Sequence, residues 1–118
     1  MDTFDHEKLD VYRASIEFVA TANSVAEGLP RGSSYLVDQL HRVASSIPLN
    51  IAEGAGEYSS KEKARFYRMA RRSATECAAI LDVCVALKLV KMEDLLGPRE
   101  LLLRIVAMLV GLSKAKHR

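Results

Sequence analysis

Hydrophobic residues recur along this chain at three- and four-residue steps, the spacing that gathers side chains on one face of an α-helix. The first such segment runs from about His6 to Glu27. Leu9, Tyr12, Ile16 and Val19 form one apolar line, and Val11, Phe18 and Val25 form a second, with Ala14 and Ala22 beside it. Gly28, Pro30, Gly32 and Ser33 then break the pattern. A second segment, from about Ser34 to Ala55, carries Leu36, Leu40, Val43, Ile47, Ile51 and Gly54 in a single stripe. Pro48 sits inside it. Proline lacks the backbone donor and crowds the carbonyl of Ala44, which predicts a kink there. Ser45 and Ser46 are placed to hydrogen-bond the disturbed backbone. Asn50, at the stripe's edge, is placed to satisfy a group that Pro48 frees, or to fix register between helices.

The third segment opens on Ser59-Ser60-Lys61-Glu62, where Ser59 and Glu62 have the spacing of a capping box. From there to about Leu89, Phe66, Met69, Ala70, Cys77, Ile80, Leu81, Cys84 and Leu87 line one broad face. The fourth runs from Pro98, suited to a helix's first turn, to about Lys114. Leu101, Leu102, Ile105, Met108, Leu109 and Leu112 form one stripe, and Leu103, Val106 and Val110 form another nearly opposite. A basic tail of Lys114, Lys116, His117 and Arg118 follows. No segment alternates as a strand does. Four helices with short connections predict an all-α, antiparallel up-down four-helix bundle, with residues 1–118 as one domain. The first and fourth helices are apolar on two sides. A helix of that kind is normally buried on both, so a subunit interface is expected.

Composition sharpens this picture only locally. The net charge is +2, but Ser60 to Glu76 holds Lys61, Lys63, Arg65, Arg68, Arg71 and Arg72 against Glu62 and Glu76, which leaves the rest of the chain negative. At about 100° per residue, Arg65, Arg68 and Arg72 fall within roughly 40° of Lys61. They form a ridge about 16 Å long at a helical rise of 1.5 Å per residue. Arg71 and Lys63 flank it. Phosphates are the natural partner of such a row, because Lys and Arg displace their counterions. The plain alternative is a solvated charged face. Tyr58 and Tyr67 are the only nearby aromatic candidates for base stacking, so backbone contact is expected over base reading.

Other chemistry finds little support. A two-metal bundle centre needs paired Glu-x-x-His motifs, and the nearest analogue is the single pair Asp38 and His41, off the apolar face. No zinc spacing, nucleophile elbow or phosphate loop is present. No catalytic residue, metal or cofactor is therefore expected. Cys77 and Cys84 would sit roughly 10 Å apart on one helix, beyond the ~7 Å a disulfide allows, and read as buried free thiols. No apolar run reaches the ~20 residues of a membrane span and no export signal opens the chain, so a cytoplasmic, membrane-free protein is the expectation.

The stretch Ser46-Ile47-Pro48-Leu49-Asn50-Ile51-Ala52-Glu53-Gly54-Ala55-Gly56 resembles the four-helix bundle proteins encoded by intervening sequences of bacterial 23S ribosomal RNA genes. Phe4, Leu9, Val11 and Tyr12 match that family's opening. Gln39, Leu40 and Arg42 match it before the motif, and Ser60, Lys61, Glu62, Phe66, Ala70, Arg71, Ser73 and Glu76 match it afterwards. Pro48, Asn50, Glu53 and Gly54 are the motif's structural residues. The resemblance implies a bundle that assembles as a five-membered ring and has no catalytic residues. It also links the chain to basic accessory proteins of diversity-generating retroelements, which bind nucleic acid and a reverse transcriptase. Arg72 replaces a usual glycine and adds to the ridge. Function thus narrows to a homo-oligomer that binds RNA or DNA backbone, or to a scaffold for another protein.

Overall fold

The structure, a computed structural model, describes residues 2–115. Lys116, His117 and Arg118 of the basic tail lie outside the described residues. Among the described residues the chain forms four α-helices and no strand: α1 (Asp10–Glu27), α2 (Ser34–Ala55), α3 (Ser60–Ala86) and α4 (Leu96–Lys114). Short 3-10 turns at Asp5–Lys8 and Met92–Leu95 lead into α1 and α4. Each helix packs against the next, and α1 closes on α4. Gly54 approaches Tyr67, while Ser46 meets Ser73. Moving forward along α2 therefore moves backward along α3, as an antiparallel bundle requires. The body measures 48 × 29 × 21 Å.

Local chemistry sets the helix ends. α1 starts later than the apolar pattern predicts because Leu9 is extended (φ −89°, ψ 128°), which separates the 3-10 turn from the helix. Ser59 Oγ accepts from the Glu62 amide at 3.1 Å and starts α3 as expected. Glu62 does not complete the box, since its carboxylate pairs with Arg65 instead. α3 stops at Ala86, three residues short of the expected end. Lys88 takes a left-handed conformation (φ 59°), and Leu89 and Lys88 donate to the carbonyls of Cys84 and Val85, both at 2.9 Å. That is a Schellman cap, with lysine where glycine is usual. Pro98 is the third residue of α4, in the first turn, where a missing N–H costs nothing.

The core is built from one face of each helix. On α1 it is the line of Val11, Ala14, Phe18 and Ala22 that points inward. The other line does not: Ile16 is 45% exposed, and Tyr12 and Val19 are half-buried. All six expected stripe residues of α2 are buried, and α2 stays one continuous helix through the buried Pro48. On α3, Met69 and Leu87 are exposed, contrary to the expected face, while Tyr67 is 2% exposed and joins the core. The inward arc is centred nearer Ala70 and Ala74 than periodicity alone suggests. On α4, Leu101, Leu102, Ile105 and Leu109 are buried and Leu103 is 61% exposed. Met108, Leu112, Val106 and Val110 are half-buried. Cys77 and Cys84 are free and buried.

Polar groups tie α2 to α3. Ser46 Oγ lies 2.7 Å from the Val43 carbonyl and 2.6 Å from Ser73 Oγ. Ser46 has one proton to give, so when it donates to the carbonyl, Ser73 donates the bond between the hydroxyls. Asn50 Nδ2 donates to the Ser46 carbonyl at 2.8 Å. Asn50 thus serves its own preceding turn and not the Ala44 carbonyl that Pro48 leaves without a donor.

Candidate nucleic-acid interface

The Ser59 cap fixes where α3 begins, and the burial of Ala64, Tyr67, Ala70 and Ala74 fixes its rotation. Those two constraints turn Lys61, Arg65, Arg68 and Arg72 directly away from the core, and all four are exposed. The structure therefore brings together the four ridge residues expected from their spacing. Arg65 is the most constrained. Its Nε lies 3.0 Å from Glu62 Oε2, with the two side chains 56% and 44% exposed, and its guanidinium sits 4.6 Å over the Phe66 ring. An exposed pair of this kind contributes about 0–1 kcal/mol, so it orients Arg65 without withdrawing it from a stronger anion. Among the described residues, Lys61, Arg68 and Arg72 have no ion-pair partner.

The flanking cations separate from the ridge. Arg71 is half-buried. Lys63 does something the sequence reading missed: Nζ donates to the Ala55 carbonyl at 2.9 Å and lies 3.5 Å from the Gly54 carbonyl. It caps the C-terminus of α2, whose last carbonyls carry partial negative charge. The available signal was a lysine in the first turn of α3, one short turn after a glycine-terminated helix.

Tyr67 is withdrawn from the expected aromatic pair, because it is part of the core and burial raises its phenol pKa. Tyr58 is 98% exposed and stands just before α3. The motif residues divide in the same way. Pro48 and Gly54 are buried, Asn50 bonds within α2, and Glu53 is exposed on the outer side of that helix. A Cβ on Gly54 would lie 2.8 Å from Tyr67 Cε1 and 3.1 Å from Phe66 Cβ, so the close approach of α2 and α3 depends on this glycine.

A family model described as 23S rRNA-intervening sequence protein matches residues 7–111. The chain belongs to that family. The match covers α1, α2, α3 and most of α4 and contains both the ridge and the Pro48–Gly54 motif, as the resemblance of Ser46–Gly56 implies. No curated protein matches the chain significantly. The intervening-sequence family is not a known enzyme family. Among the described residues, no cluster of three His, Cys, Asp or Glu side chains is placed to hold a metal. Asp38 and His41 are exposed. No described helix is long and apolar enough to cross a membrane.

Proposed function

We propose that this member of the intervening-sequence family is a non-enzymatic, cytoplasmic homo-oligomer that binds the sugar-phosphate backbone of RNA or DNA through Lys61, Arg65, Arg68 and Arg72. The observation that carries this reading is the row itself: four exposed cations on one helix face, opposite the core, three of them without an ionic partner among the described residues. Tyr67, the aromatic candidate within α3, is buried, so the ridge suits backbone contact independent of base sequence. Self-assembly is supported by the apolar side chains left exposed on α1 and α4, Ile16 and Leu103 foremost. The family resemblance implies a ring of five.

Fluorescence anisotropy with labelled duplex DNA, single strand and RNA hairpin tests the proposal. If all four cations neutralise phosphates on a duplex, log K falls against log salt with a slope of about −3.6. Arg65→Glu with Arg68→Glu should abolish binding and leave helicity and assembly mass unchanged. Undiminished binding in that variant would remove the ridge from the site. A second reading, a scaffold that presents its surface to another protein, rests on the exposed Val83, Leu87 and Leu96 at the opposite end of the α3–α4 hairpin from the ridge. Recovery of a stoichiometric protein partner after nuclease treatment, with no binding to any oligonucleotide at low salt, would favour it.

A further inference from the structure

One exposed side chain beside the ridge has no part in backbone binding. Tyr58 is 98% exposed, the most exposed large hydrophobic residue among those described. The other tyrosines are placed elsewhere. Tyr67 is in the core, Tyr12 packs edge-on against His6, and Tyr35 stands at the start of α2, at the far end of the bundle. Tyr58 lies in the connection between α2 and α3. It is three residues before Lys61, so its Cα is within about 11 Å of the first cation of the ridge.

That connection is held on both sides. The Gly56 and Glu57 amides donate to the Ala52 and Gly54 carbonyls at 3.2 and 3.1 Å. Lys63 Nζ donates to the Ala55 carbonyl, and Ser59 caps α3. The ring is carried on a fixed turn, so a ligand that uses it pays little to order it.

Charge changes sign at this residue. On its α3 side stand the exposed Lys61, Arg65, Arg68 and Arg72. On its α2 side, Glu53 and Glu57 line a shallow groove together with Asp5 and the exposed Phe4 and Leu49. Phosphates gain on the first side and are repelled on the second. A duplex that lay on the ridge and ran on past Tyr58 would carry phosphates toward those carboxylates. A single strand can turn its backbone away there and leave a base free to lie on the ring. Any base will serve, because each has a π-face.

We infer that Tyr58 is a stacking position for one unpaired base, and that the ridge takes the junction where a duplex opens into single strand in preference to continuous duplex. Lys61, Arg65, Arg68 and Arg72 hold the paired backbone, and Tyr58 reads that pairing has ended without reading which base follows. The inference rests on the backbone binding proposed above and names the form of nucleic acid that suits it.

Anisotropy titrations of the full chain with a labelled blunt duplex, and with the same duplex carrying a short single-stranded overhang, test it. Wild type should bind the overhang form about 5- to 150-fold more tightly, the range that one stacked base supplies. Tyr58→Ala should erase that difference while the blunt-duplex affinity and its salt slope stay unchanged. Tyr58→Phe should preserve it, because the ring remains. The chain has no Trp, so Tyr58→Trp introduces a single indole, whose fluorescence should be quenched by the overhang form and not by the blunt duplex. Equal wild-type affinity for the two duplexes, or an overhang preference that survives Tyr58→Ala, would overturn the inference. If in that case Arg65→Glu with Arg68→Glu still abolishes binding, the ridge stands and this inference alone is lost. Failure of every oligonucleotide to bind at low salt removes the nucleic-acid reading and this inference together.

Discussion

Gly54→Ala isolates the close approach of α2 to α3. The added methyl would stand 2.8 Å from Tyr67 Cε1, closer than real Cβ atoms come, and 3.0 Å from Cδ1 and 3.1 Å from Phe66 Cβ, tighter than most Cβ contacts. Tyr67 cannot swing aside, because its ring is buried between α2 and the rest of the core. Overpacking of this sort costs about 1–3 kcal/mol. Alanine returns up to about 1 kcal/mol of helix propensity in a helix interior, and less at Gly54, one residue before the last residue of α2. The expected net loss is about 1–2 kcal/mol, or a fall in Tm of about 4–10 °C for a chain of this size. Urea denaturation followed by circular dichroism measures it, at one fixed protein concentration because assembly would couple to stability. Tyr67→Leu removes the clashing ring atom, so in that background the cost of Gly54→Ala should largely vanish, with a coupling energy of about 1 kcal/mol. A Gly54→Ala variant as stable as wild type, or a cost that survives Tyr67→Leu, would refute the steric account.

Three further outcomes follow from individual contacts. Lys63→Met should lose about 0.3–1 kcal/mol through the uncapped end of α2, yet leave the salt slope of nucleic-acid binding unchanged, since Lys63 is engaged with Gly54 and Ala55; denaturation and anisotropy on the same preparation separate the two effects. Lys88→Gly should raise stability by about 0.5–1 kcal/mol, because the left-handed conformation costs a non-glycine residue about 1–2 kcal/mol and part of that gain is offset by glycine's entropy. Burial, with the Glu76 charge adding to it, pushes the Cys77 thiol from its usual 9.0 up to about 12, and burial also raises Cys84. The folded state therefore holds a proton that the unfolded chain releases, so stability present below pH 9 should decline as pH rises toward 12, by about 1.4 kcal/mol per pH unit for one thiol. The same burial should keep both thiols unreactive to maleimide until the protein unfolds.

Much of this protein was legible along the chain because helices write themselves in local periods. Four amphipathic segments, the Ser59 cap, the breakers after Glu27 and Ala55, and the spacing of Lys61, Arg65, Arg68 and Arg72 all depend on residues within a few turns of one another. Rotation about each helix axis does not. Tyr67 and Met69 are both compatible with an apolar arc, and only the approach of Gly54 decided that the ring goes inward and the thioether outward. Likewise α1 had two apolar lines, and packing chose Val11, Ala14, Phe18 and Ala22 for the core and left Ile16 outside. The capping role of Lys63 joins α2 to α3 through space, and the early end of α3 at Ala86 rests on one left-handed lysine that no propensity would favour. By itself the sequence determined which elements form and which residue types each helix carries, because backbone hydrogen bonding is local. Only the tertiary structure decided which side of each helix is interior, because burial is a property of neighbours brought from elsewhere in the chain.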